Sequence, residues 1–275
     1  MKLLYRRFIF YALVLIFVIA APTIAIYTAG WRWNFKQKRA VKIGALSVDS
    51  LPREATITVN GRALGKTPAL IPKLLPGQYE ITLQKNQYHT WGKTLAVASG
   101  QTTFAHEITL FKKNAPQLLQ TPPSSPTLSH TAPAPYPFYY DSKREVIAIV
   151  DNEKQQRLAE LPGNRAIWSA NDQPRLFVYS AHEVWQFNPE KIESTLITRL
   201  TQNIQEVLLV PGQNTIILVL PDRIRALELD LRDRQNTWDL TDFEKIKKVW
   251  LEENGRALFI EGTQNNQTGQ WQLDL

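Results

Sequence analysis

The sequence predicts a mainly β fold in three parts: an N-terminal transmembrane helix, a small β-sandwich, and blade-like antiparallel β repeats. Three observations carry this. Residues 8–28 form an uncharged apolar run, residues 43–111 alternate apolar and polar side chains, and residues 138–275 repeat a strand-and-turn pattern about every 41 residues. A period of two marks half-buried antiparallel strands. A period near 40 made of strands and turns marks propeller-type blades.

In the first part, Lys2, Arg6 and Arg7 precede a run rich in Phe, Ile, Leu, Val and Ala. Its 21 residues would span roughly 30 Å as a helix, the thickness of a bilayer core. Tyr5, Tyr11, Tyr27, Trp31 and Trp33 place aromatics near both ends, where membrane interfaces favour them. Pro22 is the expected site of a kink. The expectation is an uncleaved anchor over residues 1–30, meeting the lipid bilayer through residues 8–29. A cleaved signal peptide with residues 8–20 as its apolar core is the competing reading. Arg32, Lys36, Lys38, Arg39 and Lys42 come after the span, so a literal charge count would keep the C-terminal part in the cytoplasm. Long domains cross largely regardless of charge, and residues 31–275 are expected outside.

From Ile43 the alternation begins: Leu46 and Val48; Ala55, Ile57 and Val59; Tyr79, Ile81 and Leu83; Leu95 and Val97; Phe104, His106, Ile108 and Leu110. Asn60-Gly61, Pro76-Gly77 and Ser99-Gly100 supply the turns. About seven short strands folded as a sandwich over 43–111 are expected.

These residues also carry a resemblance. Gly44, Leu46 and Val48, then Pro52 and Ala55, then Val59-Asn60-Gly61, then Gly65, Thr67 and Pro68, then Leu74-Leu75-Pro76-Gly77, then Tyr88 and Trp91 stand in the order and spacing of the PEGA domain, which the segment resembles. Two positions depart from it: the namesake Pro-Glu-Gly-Ala is Pro52-Arg53-Glu54-Ala55, and the glycine before the tyrosine is Gln87. Both fall in turns. The resemblance implies a non-catalytic, envelope-associated or surface-layer module in prokaryotes, with no ligand residues attached.

Residues 114–137 hold seven prolines and no charged side chain, which reads as a semi-rigid spacer, with docking of a proline-binding partner the alternative. Beyond it Trp168, Leu208 and Trp250 recur at intervals of 40 and 42, as do Phe177, Ile217 and Phe259 inside the apolar runs 176–179, 215–220 and 257–260. Second strands are expected at 183–187, 223–229 and 269–273, with turns at Asn171-Asp172, Pro211-Gly212 and Asn254-Gly255. A shorter unit around 146–150 brings the count to at most four, a partial or four-bladed propeller. Trp238-Asp239 reads as lying between blades.

Charge and residue inventory narrow the chemistry. With no cysteine, disulfides, thiolate zinc sites and cysteine nucleophiles are excluded. The net charge of +7 is uneven, with thirteen Lys/Arg against four acids in 30–115 and sixteen against twenty-one in 116–275. That split suits a membrane-proximal basic module better than a nucleic-acid footprint, so no nucleic acid is expected as a partner. Gly61-Arg62-Ala63-Leu64-Gly65-Lys66-Thr67 is one residue short of a phosphate loop, and Pro68 bars the helix such a loop needs. It reads instead as a hairpin turn plus linker. His89, His106, His130 and His182 lack metal-ligand spacing to one another, and no nucleophile elbow is present. Glu252-Glu253 and the run Asp230, Arg232, Asp233, Arg234 read as solvated charge. Tyr88 and Trp91 suit packing at a sandwich edge, with stacking on a sugar ring as the alternative. No cofactor, metal or catalytic residue is expected. The functional expectation is a membrane-anchored envelope protein that binds or scaffolds, with cell-wall polymer or another envelope protein as partner. The rivals are a surface enzyme with a propeller pocket acting on glycans or peptides, and a cytoplasm-facing scaffold.

Overall fold

Helix α1 (Leu3–Thr28) runs unbroken through Pro22 in this computed structural model. Thr23 Oγ1 donates to Ile19 O at 2.7 Å within that turn. Gly30 stops the helix: at φ 87° it takes the left-handed conformation common just past a helix C-terminus. The structure describes residues 3–34, 38–120, 134–169, 173–252 and 254–275. The spacer's 121–133 with His130, the turn residues Asn171 and Asp172, and Lys36 and Glu253 fall outside the described residues.

The chain forms two compact units, one of residues 1–83 with 94–106 and the other of 84–93 with 107–275. In the first, a hairpin of β1 (Trp31–Asn34) and β2 (Arg39–Lys42) comes directly after the helix. Then come β3 (Gly44–Leu51), β4 (Thr56–Val59), β5 (Arg62–Lys66), β6 (Ala69–Leu74), β7 (Gly77–Gln84), β8 (Trp91–Val97) and β9 (Thr102–Thr109), seven strands as expected in number, with β5 formed where a linker was expected and β6 where no strand was marked. They form a three-stranded sheet, β6-β3-β9, and a four-stranded one, β5-β4-β7-β8. Leu46, Val48, Ala55, Ile57, Val59, Ile81, Leu83, Leu95 and Val97 are all buried, as the alternation requires. A polar pair sits among them: Ser50 Oγ and Thr67 Oγ1 are 2.7 Å apart, and Ala55 N donates to Thr67 Oγ1 at 3.1 Å.

The last strand corrects one expectation. Phe104 and His106 face outward while Ala105, Ile108 and Leu110 are buried. Glu107, at φ 58°, inserts an extra outward residue after His106 and inverts the phase, as a β-bulge does.

Both departures from the PEGA pattern keep a glycine-type backbone. Glu54 and Gln87 each stand at φ 65°, where an L side chain costs about 1–2 kcal/mol. Glu54→Gly and Gln87→Gly are therefore each expected to stabilise the chain by roughly 1 kcal/mol, since the gain from relieved strain exceeds the extra unfolded-state freedom of glycine. The Glu54–Lys66 ion pair lost in the first is exposed and 3.6 Å long, so it subtracts little. Thermal midpoints of the two variants in detergent check this.

In the second unit, β10 (Gln117–Leu118) precedes β11 (Phe138–Asp141), β12 (Val146–Asp151) and β13 (Gln156–Pro162). Next are β14 (Arg165–Trp168), β15 (Leu176–Tyr179), β16 (Glu183–Asn188) and β17 (Glu193–Arg199). The rest are β18 (Glu206–Leu209), β19 (Thr215–Val219), β20 (Arg223–Glu228), β21 (Thr237–Asp242), β22 (Lys245–Leu251), β23 (Ala257–Gln264) and β24 (Gln267–Asp274). They make four blade-like antiparallel sheets: β11-β12-β13, β14 to β17, β18 to β21, and β22-β23-β24 completed by β10. The early strand β10 thus closes the last sheet by pairing Leu118 with Trp271. Successive sheets pack face to face. Ile147, Ile149 and Leu161 meet Leu176, Val178 and Phe187, and Phe177 and Val184 meet Val207, Ile216 and Leu218.

Two repeat assignments need adjustment. Phe177 pairs with Ile167 rather than Trp168, whereas Ile217 pairs with Leu208 and Phe259 with Trp250. The equivalent position in the second sheet is therefore Ile167. Trp238-Asp239 lies inside β21, the fourth strand of its sheet, and not between blades. That strand is polar enough on its outer side to hide its period.

Candidate functional site

A densely bonded polar site in the second unit surrounds Lys93. The stem Gln84–Lys93 pairs with the segment after β9: His89 N donates to Phe111 O at 2.8 Å and Lys113 N to Gln87 O at 2.7 Å. This brings residues 90–93, which belong to the second unit, against β20 and β21. Trp91 Nε1 donates to Glu228 Oε1 at 2.8 Å, and Trp238 Nε1 to Thr90 O at 3.1 Å. Lys93, whose side chain is 0% exposed, places Nζ 3.0 Å from Glu228 Oε2, 3.4 Å from Asp230 Oδ2 and 2.7 Å from Asp230 O. Asn236 N and Nδ2 donate to Glu228 Oε2, and Arg232 closes on Asp230 from outside at 2.8 Å. Burial pushes the Asp230 carboxyl up, but hydrogen bonds from Arg232 and the charges of Lys93 and Arg232 outweigh it and hold it below the usual aspartate range. With both carboxylates engaged and the ammonium sealed off, this cluster fastens strands together. Trp91 is therefore a buried hydrogen-bonding anchor, neither a sandwich-edge residue nor a sugar platform. Asp230 is partly buried and pairs with the fully buried Lys93, 137 residues away, as well as with the exposed Arg232, so it is more than part of a solvated strip.

A second arrangement runs across the first strands of three sheets. Arg165, Glu206 and Lys248 recur at intervals of 41 and 42 residues on β14, β18 and β22. Arg165 donates to Gln205 O and, at 3.1 Å, to Ile204 O, and its guanidinium lies 4.6 Å above the Tyr179 ring. Burial raises the Glu206 pKa, opposed by the charges of Arg165 and Lys248. Lys248 Nζ sits 5.6 Å over the Trp250 ring, which stacks on Phe259 at 5.7 Å. Trp168 Nε1 and Trp250 Nε1 are buried without a protein acceptor. The row combines two cations and one carboxylate laid over buried aromatic rings, Tyr179 and Trp250. The periodicity that exposed the strands did not expose this row, because its three residue types differ from sheet to sheet.

The remaining candidates separate. His106 Nε2 is 2.8 Å from Ser47 Oγ and its ring is 5.1 Å from Phe104, on the outward side of the first unit. His89 has its pKa lowered by burial and then by Lys113. Among the described residues no three His, Asp or Glu side chains converge as a metal site would require. The segment that resembled a phosphate loop is the turn Asn60-Gly61 followed by strand β5, and Thr67 is buried in the sandwich.

Comparison with known proteins agrees with the first unit's architecture. Residues 43–113 match the PEGA domain. No curated protein matches the chain. Among solved structures, the extracellular domain of a B. thetaiotaomicron protein described as a hybrid two component system, BT4673, is similar at 9% identity and a TM-score of 0.34, over 89% of this chain and 31% of that one. Dihydro-heme d1 dehydrogenase NirN in complex with DHE is similar at 11% identity and a TM-score of 0.36, over 90% of this chain and 62% of that one. The chain thus spans less than a third of the former and under two thirds of the latter.

Proposed function

We propose that the protein is a single-pass, membrane-anchored cell-envelope protein. Its β units stand outside the membrane and act by binding or scaffolding, without catalysis. The observation that carries this is α1: within Tyr5–Thr28 an 18-residue window has a mean hydropathy of 2.7, and none of that window is buried within the chain. An apolar helix with no protein cover is stable only in an apolar solvent. The PEGA match next to it suits an envelope-associated module. The four sheets read as blades of a small or partial propeller, supported by β10 joining the last sheet. The row Arg165, Glu206 and Lys248 is its ligand-facing surface, for a wall polymer or another envelope protein.

Protease treatment of intact cells tests the topology. The part C-terminal to residue 31 should be digested without lysis, and the chain should remain with membranes at alkaline pH with residues 1–30 still present by mass. Digestion only after lysis would refute the external placement.

A further inference from the structure

We infer that the β1–β2 hairpin is a second, interfacial membrane contact, its outer face seated among lipid headgroups beside the end of α1. This rests on the membrane-anchor reading of that helix.

Two attachments fix the hairpin to the helix end. Ile43 N, just after β2, donates to Gly30 O at 2.9 Å. Arg32 NH1 donates to Tyr27 O and Trp31 O, each at 2.7 Å, and its guanidinium lies 3.4 Å over the Tyr27 ring. Arg32 thereby satisfies a carbonyl in the helix's last turn and opposes the negative end of its dipole. With only Ala29 and Gly30 between helix and strand, the hairpin cannot move far from the bilayer surface.

Its two faces differ. Asn34 and Val41 are buried on the inner side. The register pairs Trp31 with Lys42 and Trp33 with Ala40, so these four share the outer face. There Trp31 is 44% and Trp33 55% exposed. Two neighbouring indoles open to water form an unfavourable surface, whereas the headgroup layer accepts their apolar bodies and polar edges together. The charge is complementary as well. Residues 29–42 contain no Asp or Glu, Lys42 shares the tryptophans' face, and Lys38 and Arg39 lie just before and at the start of β2, so an anionic leaflet is the fitting occupant.

The absence of native cysteine makes the test direct. Ala40→Cys, which keeps both tryptophans, is labelled with an environment-sensitive fluorophore in the full chain reconstituted into phosphatidylcholine vesicles, with or without phosphatidylglycerol. An exposed control label is placed by Glu190→Cys. The Ala40 label should emit at shorter wavelength and be quenched by lipids brominated near the headgroup. Aqueous iodide should quench it several-fold less than the Glu190 label, and phosphatidylglycerol should increase the protection. Adding Trp31→Ser and Trp33→Ser should abolish that protection while the chain stays membrane-integral. Equal iodide quenching at both sites in an integral chain would overturn the hairpin contact alone. Release of the chain from vesicles at alkaline pH would overturn the anchor and the hairpin contact together.

Discussion

Replacing Lys93 by methionine is expected to destabilise the second unit by about 3–5 kcal/mol, because it leaves buried carboxylate charge without its counter-ion. For a unit of this size that is a fall in thermal midpoint of roughly 10 °C. Glu228 would keep its bonds from Trp91 and Asn236, and Asp230 its contact with Arg232, so the unit should fold, but less stably. Adding Glu228→Gln and Asp230→Asn to Lys93→Met should recover much of the loss, since a neutral cluster of similar shape no longer buries charge. Asp230 contributes to the pH dependence at the acid end. Its pKa is lowered in the fold, so its contribution is present above the unfolded value of 3.8 and is lost as the pH falls below that. Without Lys93 the depression shrinks and the acid loss should become shallower. Denaturant melts across pH in detergent measure both effects, and a Lys93→Met loss below about 1 kcal/mol would show that water already reaches the ammonium.

This cluster also shows where sequence reading stops. Most sandwich strands were legible because they have one buried and one solvated face, so Ile57 and Val59 or Leu95 and Val97 stand out by period, whereas β5 is exposed throughout and reads as linker. The inner strands β15 and β19 were legible for the opposite reason, being buried along their whole length. The outer strands β17 and β21 are mostly polar, and nothing local separated them from loops. The β1–β2 hairpin was hidden because Trp31 and Trp33 already had a role as interfacial aromatics. A single left-handed residue, Glu107, reversed the facing of β9, and periodicity cannot report one φ angle. The Lys93 cluster joins residues 137 apart, and the row Arg165, Glu206, Lys248 has its positions fixed by the repeat while its chemistry is not. Local order was readable, but long-range polar pairing was not.

Gly44→Ala should be the most damaging small substitution in the first unit. A Cβ there would stand 2.5 Å from Val97 Cγ1, 2.6 Å from Ala98 O and 2.8 Å from Gln101 O. Two of these neighbours are backbone oxygens flanking the Ser99-Gly100 turn, so no rotamer change relieves the clash. The bond from Ala45 N to Gln101 O, at 3.0 Å, holds the same place and would have to lengthen. Overpacking of this kind costs about 1–3 kcal/mol, and the backbone involvement puts Gly44 at the upper end. Gly77 supplies the contrast, since both glycines belong to the segment matching the PEGA domain. At Gly77 a Cβ meets nothing closer than 4.0 Å and φ lies outside the left-handed region. Gly77→Ala should therefore be neutral or stabilising by up to about 1 kcal/mol, through a less flexible unfolded chain. Limited proteolysis and thermal melts of the two variants in detergent decide the matter. Equal losses would mean that these glycines serve something other than local space, and a loss confined to Gly44→Ala would locate the requirement in the approach of β3 to the β8–β9 turn.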